Sequence, residues 1–402
     1  MSDHKRGPLY LDRNLLIVFC VTATAMLGTG SLTPAFPQIM EAFNINSQQA
    51  GWLITANTLP GIFLAPVWGV IADRIGRKKV LVPSLVFYAV SGGAMAFISD
   101  FNLLLALRFL QGCAGAPLAA LNNTVIGELF VGRARMEAMG YNASVQGTCM
   151  LGYPLLGGAV ALFGWHYPFL LPLIGLPVAW LVAFRLKNPE PKRRQPMLEY
   201  LGGAFGSVAN RRMAALYFCN ILTVAVSFGV LIVYFALLLS YKFGASSLEI
   251  GIVAAFSPVV STLVSTQAGR IRDRMSFRSM IVVGLALSGL GVSLNPLAPS
   301  LWWMLGPALV RGVAQGLLNP SVNTLVVEFA PMDSRAAVMA LNSTMFRIGQ
   351  TFGPFLFGLI YAAGGMDGVF HVGGGLLMLT AVVVGFAIGD VDKVLASKRE
   401  KE

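Results

Sequence analysis

Twelve stretches of mostly apolar residues, each 19 to 28 long, succeed one another along the chain with only short breaks between them. A helix rises about 1.5 Å per residue, so about 20 apolar residues cross the ~30 Å hydrocarbon core of a bilayer. The stretches lie at 15–39, 50–72, 79–98, 102–129, 137–162 and 166–186, then at 213–240, 247–269, 279–297, 301–327, 337–363 and 369–389. Composition agrees: 56% of the 402 residues are hydrophobic and 12% are charged, about half the charged share of a soluble domain. The same balance excludes disorder, which needs low hydrophobicity and high charge. The expected class is an all-α membrane protein with twelve transmembrane helices.

The long polar stretch 187–212, with Pro189, Pro191, Lys192, Arg193, Arg194 and Pro196, separates the first six spans from the last six. It reads as a linker with room for a short helix. The domains expected are therefore a six-helix bundle over 1–186, the linker 187–212, and a second six-helix bundle with a short tail over 213–402. The net charge of +11 could mark a nucleic-acid binder, but its placement argues otherwise. Of the 29 lysines and arginines, 25 lie in the termini and the even-numbered loops, and Lys242 alone lies in an odd-numbered loop. The positive-inside rule then puts both termini in the cytoplasm, which agrees with an even span count. No nucleic-acid partner is expected. The first span is too long for a signal-peptide core and has no small-x-small cleavage end. Cys20, Cys113, Cys149 and Cys219 sit in apolar runs with neither CxxC nor Cys/His spacing, so no disulfide, metal or other cofactor is expected.

Displaced by 200 residues, the sequence matches itself at positions that hydrophobicity alone does not explain. Gly69, Asp73 and Arg74 fall on Gly269, Asp273 and Arg274; Glu128 on Glu328; Arg135 on Arg335; Asn142 on Asn342; Pro154 and Gly158 on Pro354 and Gly358. Six spans return the chain to its starting side, so the halves are parallel repeats related by an axis along the membrane normal. Rocking transporters are built this way, with a solute site between the halves.

The loop after span two reads Gly69-Val-Ile-Ala-Asp73-Arg74-Ile-Gly76-Arg77-Lys78-Lys79. It resembles the signature loop of the major facilitator superfamily, G-x-x-x-D-R-x-G-R-K/R, at every informative position. Together with the span count and the repeat, the likeness covers essentially the whole chain, and the 12-span drug/proton antiporter branch is the most similar. A weaker copy, Gly269-Arg-Ile-Arg-Asp273-Arg274-Met-Ser-Phe-Arg278, lacks the second glycine. Gly69 is expected to let two helices approach closely, and Asp73 to accept charge-assisted hydrogen bonds at the interface. Glu128 and Glu328 end spans four and ten on the same side, and each is expected to pair with an arginine of its half's loop: Arg74 or Arg77 with Glu128, Arg274 or Arg278 with Glu328. Such pairs would form a latch that breaks as the halves rock; a static anchor of surface charges is the alternative.

Span four carries Arg108-Phe-Leu-Gln111-Gly112-Cys-Ala-Gly115-Ala116, similar to the family's R-x-x-Q-G-x-x-x-A, and Arg311 opens a looser copy. In drug/proton antiporters of the family this arginine is associated with proton transfer, which the resemblance carries to Arg108 alone. A snorkelling arginine is the alternative. Span five, with Gly147, Gly152, Pro154, Gly157 and Gly158, resembles the antiporter signature G-x-x-x-G-P-x-x-G-G but has Tyr153 before the proline and Cys149 for the first glycine. Span eleven holds a cleaner copy in Gly349, Gly353, Pro354 and Gly358. The expected role is a smooth, bendable helix surface for packing and kinking.

No Asp or Glu lies deep in any span, whereas Arg108, Arg311 and Arg347 do. A cavity with cations and no acids favours anionic or neutral, zwitterionic solutes over lipophilic cations. Arg347 lies seven to ten residues into span eleven with no acid near it in sequence. Candidate polar residues of the solute or proton pathway are Asn123, Asn142, Asn323 and Asn342, with Asn57, Asn122, Gln146, Asn220, Tyr234 and Asn319 as further lining candidates. An asparagine in hydrocarbon needs a partner, so some of these are expected only to tie helices together. His166 and His371 read as interfacial. The function expected is secondary transport of a small organic solute by alternating access, as proton-coupled efflux, by a monomer in a bacterial inner membrane. Uptake or uniport of an organic anion, a lipid-handling transporter and a non-transporting receptor or scaffold are the alternatives. No catalytic cluster or ATP-binding loop appears, so neither an enzyme nor an ATP-driven pump is expected.

Overall fold

The structure is a computed structural model that describes residues 9–187, 210–330, 335–389 and 391–392. Most of the linker expected at 187–212, and any short helix in it, lies outside these residues. The chain gathers into two compact units, one of residues 1–43 and 56–194 and the other of residues 44–55 and 195–402.

In the first unit, α1 (Arg13–Gly30) starts where the Asp12 carboxylate accepts from the backbone N–H groups of Asn14 and Leu15, at 2.9 and 3.1 Å. A 3-10 turn, Thr33–Ala35, carries the chain into α2 (Phe36–Phe43). After α3 (Ser47–Ile75), whose residues up to Thr55 group with the second unit, comes Gly76, whose φ of +101° is open only to glycine at little cost, and α4 (Arg77–Ala94) begins directly behind it. Asp100 caps α5 (Phe101–Leu129) by accepting from Leu103 N–H at 2.8 Å. Then follow α6 (Gly132–Ala161), a 3-10 segment (Tyr167–Ile174) and α7 (Gly175–Arg185). Helix α1 packs on α5, α6 and α7, and α4 packs on α5 and α7. Between them lies an apolar core that includes Leu15, Val18, Leu81, Leu85, Leu118, Leu121, Val125 and Val182.

The second unit follows the same order. Helix α8 (Arg211–Val226) passes through a π-helical stretch, Ser227–Tyr234, into α9 (Phe235–Phe243). Helix α10 (Ser247–Thr266) starts at a reciprocal capping box between Ser246 and Glu249, and a turn at Gln267 separates it from the short α11 (Ala268–Arg272). Helices α12 (Phe277–Ser293), α13 (Leu305–Phe329) and α14 (Arg335–Ile388) complete it. A 54-residue helix would be about 80 Å long, far more than a bilayer's thickness. Gly365, with φ +64° and ψ −163°, breaks it into two crossing lengths. The loop expected between spans eleven and twelve is thus a single non-helical residue. Span eight, expected as one helix over 247–269, is instead divided at Gln267.

Among the described residues eight helices are long and apolar enough to cross a membrane by length and composition, with Leu341–Ile388 counted once. Helices α6 and α13 are of crossing length too, but their apolar character is diluted by glycine, asparagine, glutamine and arginine. With α3 and the break at Gly365, the twelve-span arrangement is accommodated by the helix lengths.

Close approach of helices depends on a subset of the glycines. A Cβ on Gly112 of α5 would lie 2.0 Å from the Asn57 carbonyl oxygen of α3, and one on Gly157 of α6 would lie 1.9 Å from the Ser31 carbonyl oxygen. In the second unit a Cβ on Gly353 would lie 2.4 Å from the Ala225 carbonyl oxygen. The expectation for Gly69 is not met: a side chain there would touch nothing within 4 Å, and the same holds for Gly152 and Gly269. In span five the packing glycine is Gly157, with Gly158 buried beside it. Pro154 and Pro354 sit inside α6 and α14. A Cβ on Gly358 would lie 3.0 Å from Cγ of Gln48, a residue of the second unit.

These distances separate two classes of substitution. Gly112→Val forces helix backbones apart and costs about 3 kcal/mol, whereas Gly152→Ala is neutral or slightly stabilising because alanine is the better helix former. Thermal unfolding of the two purified variants in detergent checks this: G112V melts well below the parent and G152A does not.

Candidate functional site

Arg77, the first residue of α4, is 6% exposed and lies against the end of α5. Its Nη2 and Nε donate to Glu128 Oε1 at 2.9 and 3.1 Å, Nη1 reaches the Gly69 carbonyl at 3.5 Å, and Asp73 one turn back pairs with it as well. Of the two arginines the spacing allowed, Arg77 therefore meets Glu128, while Arg74 is exposed. The break at Gly76 sets this geometry, because it turns the chain so that α4 starts with its first side chain aimed at α5.

The second unit diverges at the matching place. Ser276 stands at the counterpart of Gly76, with φ −67°, and caps α12 through a side-chain oxygen that accepts from Ser279 N–H at 3.0 Å. The counterpart of Arg77 is Phe277, which cannot form an ion pair. Arg272 lies over the Phe277 ring at 4.4 Å from its centroid and pairs with Asp392. Asp273, Arg274 and Arg278 are exposed, and Glu328 is half-buried at the end of α13. Among the described residues Arg272, which was not a sequence candidate, makes an ion pair from this loop. The substitution of phenylalanine for arginine at 277 was the readable signal.

Arg108 is 2% exposed, which rules out the snorkelling alternative. Its Nη1 donates to the Gly28 carbonyl and to Gln111 Oε1, both at 2.9 Å, and its guanidinium lies 5.3 Å from the Phe169 ring centroid. Among the described residues its Nε has no hydrogen-bond partner. Gly28 is in the last turn of α1, where carbonyls have no intrahelical donor. Tyr88 closes the cluster: its hydroxyl accepts from Gly28 N–H at 2.8 Å and donates to the Ala25 carbonyl at 3.3 Å. The charge is held by a carbonyl, an amide and a ring face, and no carboxylate is among these partners. Tyr88 and Phe169 lie far from Arg108 in sequence, and no spacing pointed to them.

A polar chain ties α1, α5 and α6. Asn142 is buried, accepts from Thr22 Oγ1 at 2.6 Å and donates to Asn123 Oδ1 at 3.4 Å, while Asn122 bonds Thr22 from the other side. Tyr153, which stands where the antiporter pattern has glycine, donates to the Ala23 carbonyl at 2.7 Å and packs against Gly30. In the second unit Asn220 donates to Asn342 Oδ1 at 2.9 Å, and Asn342 is buried. Asn142 and Asn342 are helix ties in this arrangement, whereas Asn123 and Asn323 are exposed.

Arg311 Nε donates to Ser257 Oγ at 3.1 Å, and its guanidinium lies 5.7 Å from the Phe235 ring centroid. Tyr234, at the end of the π-helical stretch, stacks on Tyr361 at 5.1 Å. π-Helical turns often mark functional positions. Arg347 is half-buried on α14, and among the described residues it has neither a hydrogen-bond nor an ion-pair partner. Its neighbour Phe346 meets Phe228 edge to face at 6.3 Å. His166 lies beside Trp165 and Tyr167, and His371 is exposed. Among the described residues no group of His, Cys, Asp or Glu has the geometry to hold a metal ion.

The chain is similar over most of its length to proteins of known kind. Multidrug resistance protein 2 of Bacillus subtilis (strain 168) is 24% identical over 344 residues, covering 84% of this chain and 86% of that protein. The bacillibactin exporter of the same organism is 26% identical over 368 residues, covering 86% and 89%. Among solved structures, a bacterial homolog of the human lysosomal transporter Spinster, inward-facing and unoccupied, superposes with a TM-score of 0.78 at 18% identity, covering 95% of this chain and 96% of that one. The model of the Major Facilitator Superfamily matches residues 18–237 and again 213–402. With the Gly69–Lys79 loop and matches of the family model in both halves, this chain is a multi-pass membrane transporter that belongs to the Major Facilitator Superfamily, and not an enzyme.

Proposed function

We propose that the protein exports a small organic solute by proton-coupled alternating access, and that the solute is anionic or neutral and zwitterionic. The observation that carries the charge preference is Arg347, a cation inside a span with no partner among the described residues. Arg108 and Arg311 are also held without a carboxylate, and none of the described Asp and Glu side chains lies deep in a span. A desolvated cation in a solute pathway lowers the energy of an anion and raises that of a cation. Export as the direction is supported by the relatives whose names are multidrug resistance protein and bacillibactin exporter.

In this reading Arg108, Arg311 and Arg347 serve the solute or proton pathway together with Asn123 and Asn323, while Asn142 and Asn342 hold the helices that line it. The six-helix bundles over 1–186 and 213–402 are the moving bodies, joined by the linker. The loop residues Gly69, Asp73, Arg74, Gly76 and Arg77 act with Glu128 as a conformational latch, and Gly269, Asp273, Arg274, Arg278 and Glu328 serve the other half. Pro154, Gly158, Gly353, Pro354 and Gly358 supply packing and bending surfaces, and Gly152 faces open space. The protein works as a monomer in a bacterial inner membrane with both termini in the cytoplasm, as the distribution of basic loops supports.

Flux into or out of proteoliposomes under an imposed pH gradient, with pyranine inside, tests the charge preference. Organic anions are expected to move with protons, and Arg347→Ala is expected to lower that flux at least about tenfold, the effect of losing ~1.4 kcal/mol of binding. Flux of organic cations that Arg347→Ala leaves unchanged overturns the reading. Anion flux in the uptake direction with no proton movement would establish the uniport alternative.

The latch has its own test. Arg77→Ala removes a buried cation from two carboxylates and is expected to lower both thermal stability and turnover, with a loss of about 3 kcal/mol. Arg74→Ala, at an exposed site, stays within about 0.5 kcal/mol of the parent. Loss of stability with unchanged turnover would make Arg77 a static anchor instead.

A further inference from the structure

On its surface the first unit has a cleft of about 320 Å³ between α1 and α7. We propose that this cleft binds an anionic phospholipid, with the phosphate between Arg13 and Arg185 and one acyl chain along the groove below them.

The two helices run antiparallel. Arg13 is the first residue of α1 and Arg185 the last of α7, so both cations stand at the same mouth of the cleft. Arg13, Leu16 and Cys20 follow one another at helical spacing along α1, and Leu181 and Arg185 do the same along α7. The groove is therefore basic at its mouth and apolar for the next two turns, about 10 Å at 1.5 Å per residue. Trp180 lines the apolar part, a residue type that favours the boundary between headgroups and acyl chains.

Both cations are free to meet an anion. Arg13 and Arg185 are exposed and have no ion-pair partner among the described residues. The carboxylate nearest in sequence, Asp12, is turned into the start of α1, where it accepts the two backbone N–H groups that cap the helix. The spacing between the arginines is held by a cross-link: Lys187 N–H donates to Asn14 Oδ1 at 2.9 Å, which fastens the chain leaving α7 to the first turn of α1. A basic pocket between helices at the cytoplasmic side is a recognised form of headgroup site, and the orientation proposed above places this mouth there. The site depends on membrane insertion alone, so failure of the transport reading leaves it intact.

The second unit supplies a contrast. A larger cleft of about 520 Å³ between α12 and the last turns of α14 also has an arginine, Arg278, but Asp392 lines it too. A carboxylate there opposes a phosphate, so charge selects the first cleft over the second.

Native mass spectrometry of the full-length protein, exchanged into phosphatidylglycerol or phosphatidylcholine, reads retained lipid directly. The parent is expected to retain phosphatidylglycerol in preference to phosphatidylcholine. Removing one interfacial cation lowers retention of an anionic lipid about fivefold, so Arg13→Gln with Arg185→Gln lowers it about 25-fold. Leu16→Trp, which fills the groove and spares both cations, is expected to lower it as well, while the double lysine variant (R13K, R185K) and Arg278→Gln keep it. If the double glutamine variant fails to fold, Leu16→Trp set against the double lysine variant still decides. Equal retention of the two lipids, loss in Arg278→Gln as large as in the double glutamine variant, or displacement of the lipid by an equal concentration of inorganic phosphate would each overturn the proposal.

Discussion

Inside a bilayer no water is present to satisfy a backbone amide, so every N–H and C=O of a spanning segment must find its partner within the segment or in its neighbours. Long helices meet that demand. It also removes the hydrophobic drive that brings helices together in water, because lipid chains are as apolar as the side chains that would be buried. Contact between helices then depends on how closely backbones can approach. The Gly112–Asn57, Gly157–Ser31 and Gly353–Ala225 contacts are where this happens, each with a carbonyl oxygen in the space a side chain would need. Tyr153 achieves the same end by other means, using its hydroxyl to hold the Ala23 carbonyl of α1.

The same lack of water shapes how charge is carried. A buried guanidinium with no acid is costly, and Arg108 meets that cost with the Gly28 carbonyl, the Gln111 amide and the Phe169 ring. Arg311 has a hydroxyl and a ring in comparable roles. In both cases the ligands are neutral, so the positive charge is stabilised without being cancelled. An ion pair such as Arg77 with Glu128 and Asp73 does the opposite. It cancels charge locally and fixes helix ends.

Duplication gave the two halves one architecture and left them free to differ in detail. The 200-residue register aligns Gly76 with Ser276 and Arg77 with Phe277. With glycine, the chain adopts φ +101° and sends an arginine to α5; with serine, it takes an ordinary cap and presents a ring. At the second loop Arg272 lies over that ring and pairs with Asp392, where Arg77 at the first meets Glu128 and Asp73.

The apolar runs, the basic loops and the repeat were legible in the sequence because they are one-dimensional signals: length, charge and spacing along the chain. The pairing of Glu128 with a loop arginine was narrowed to Arg74 or Arg77 by the same means, and the choice between them depended on the backbone turn at Gly76, which no spacing reveals. Nor could the chain by itself show that Gly69 and Gly152 face open space while Gly112 and Gly157 face a carbonyl, since all four are glycines in helical stretches. The partners of Arg108 come from α1, the segment before α7 and its own helix, and only packing brings Tyr88 and Phe169 beside it. What the sequence determined alone was which segments enter the membrane and how they repeat, because hydrocarbon selects on composition over about 20 residues. Which side chains meet inside the bilayer was decided by the tertiary structure, because there contact depends on the facing and approach of helices distant in the chain.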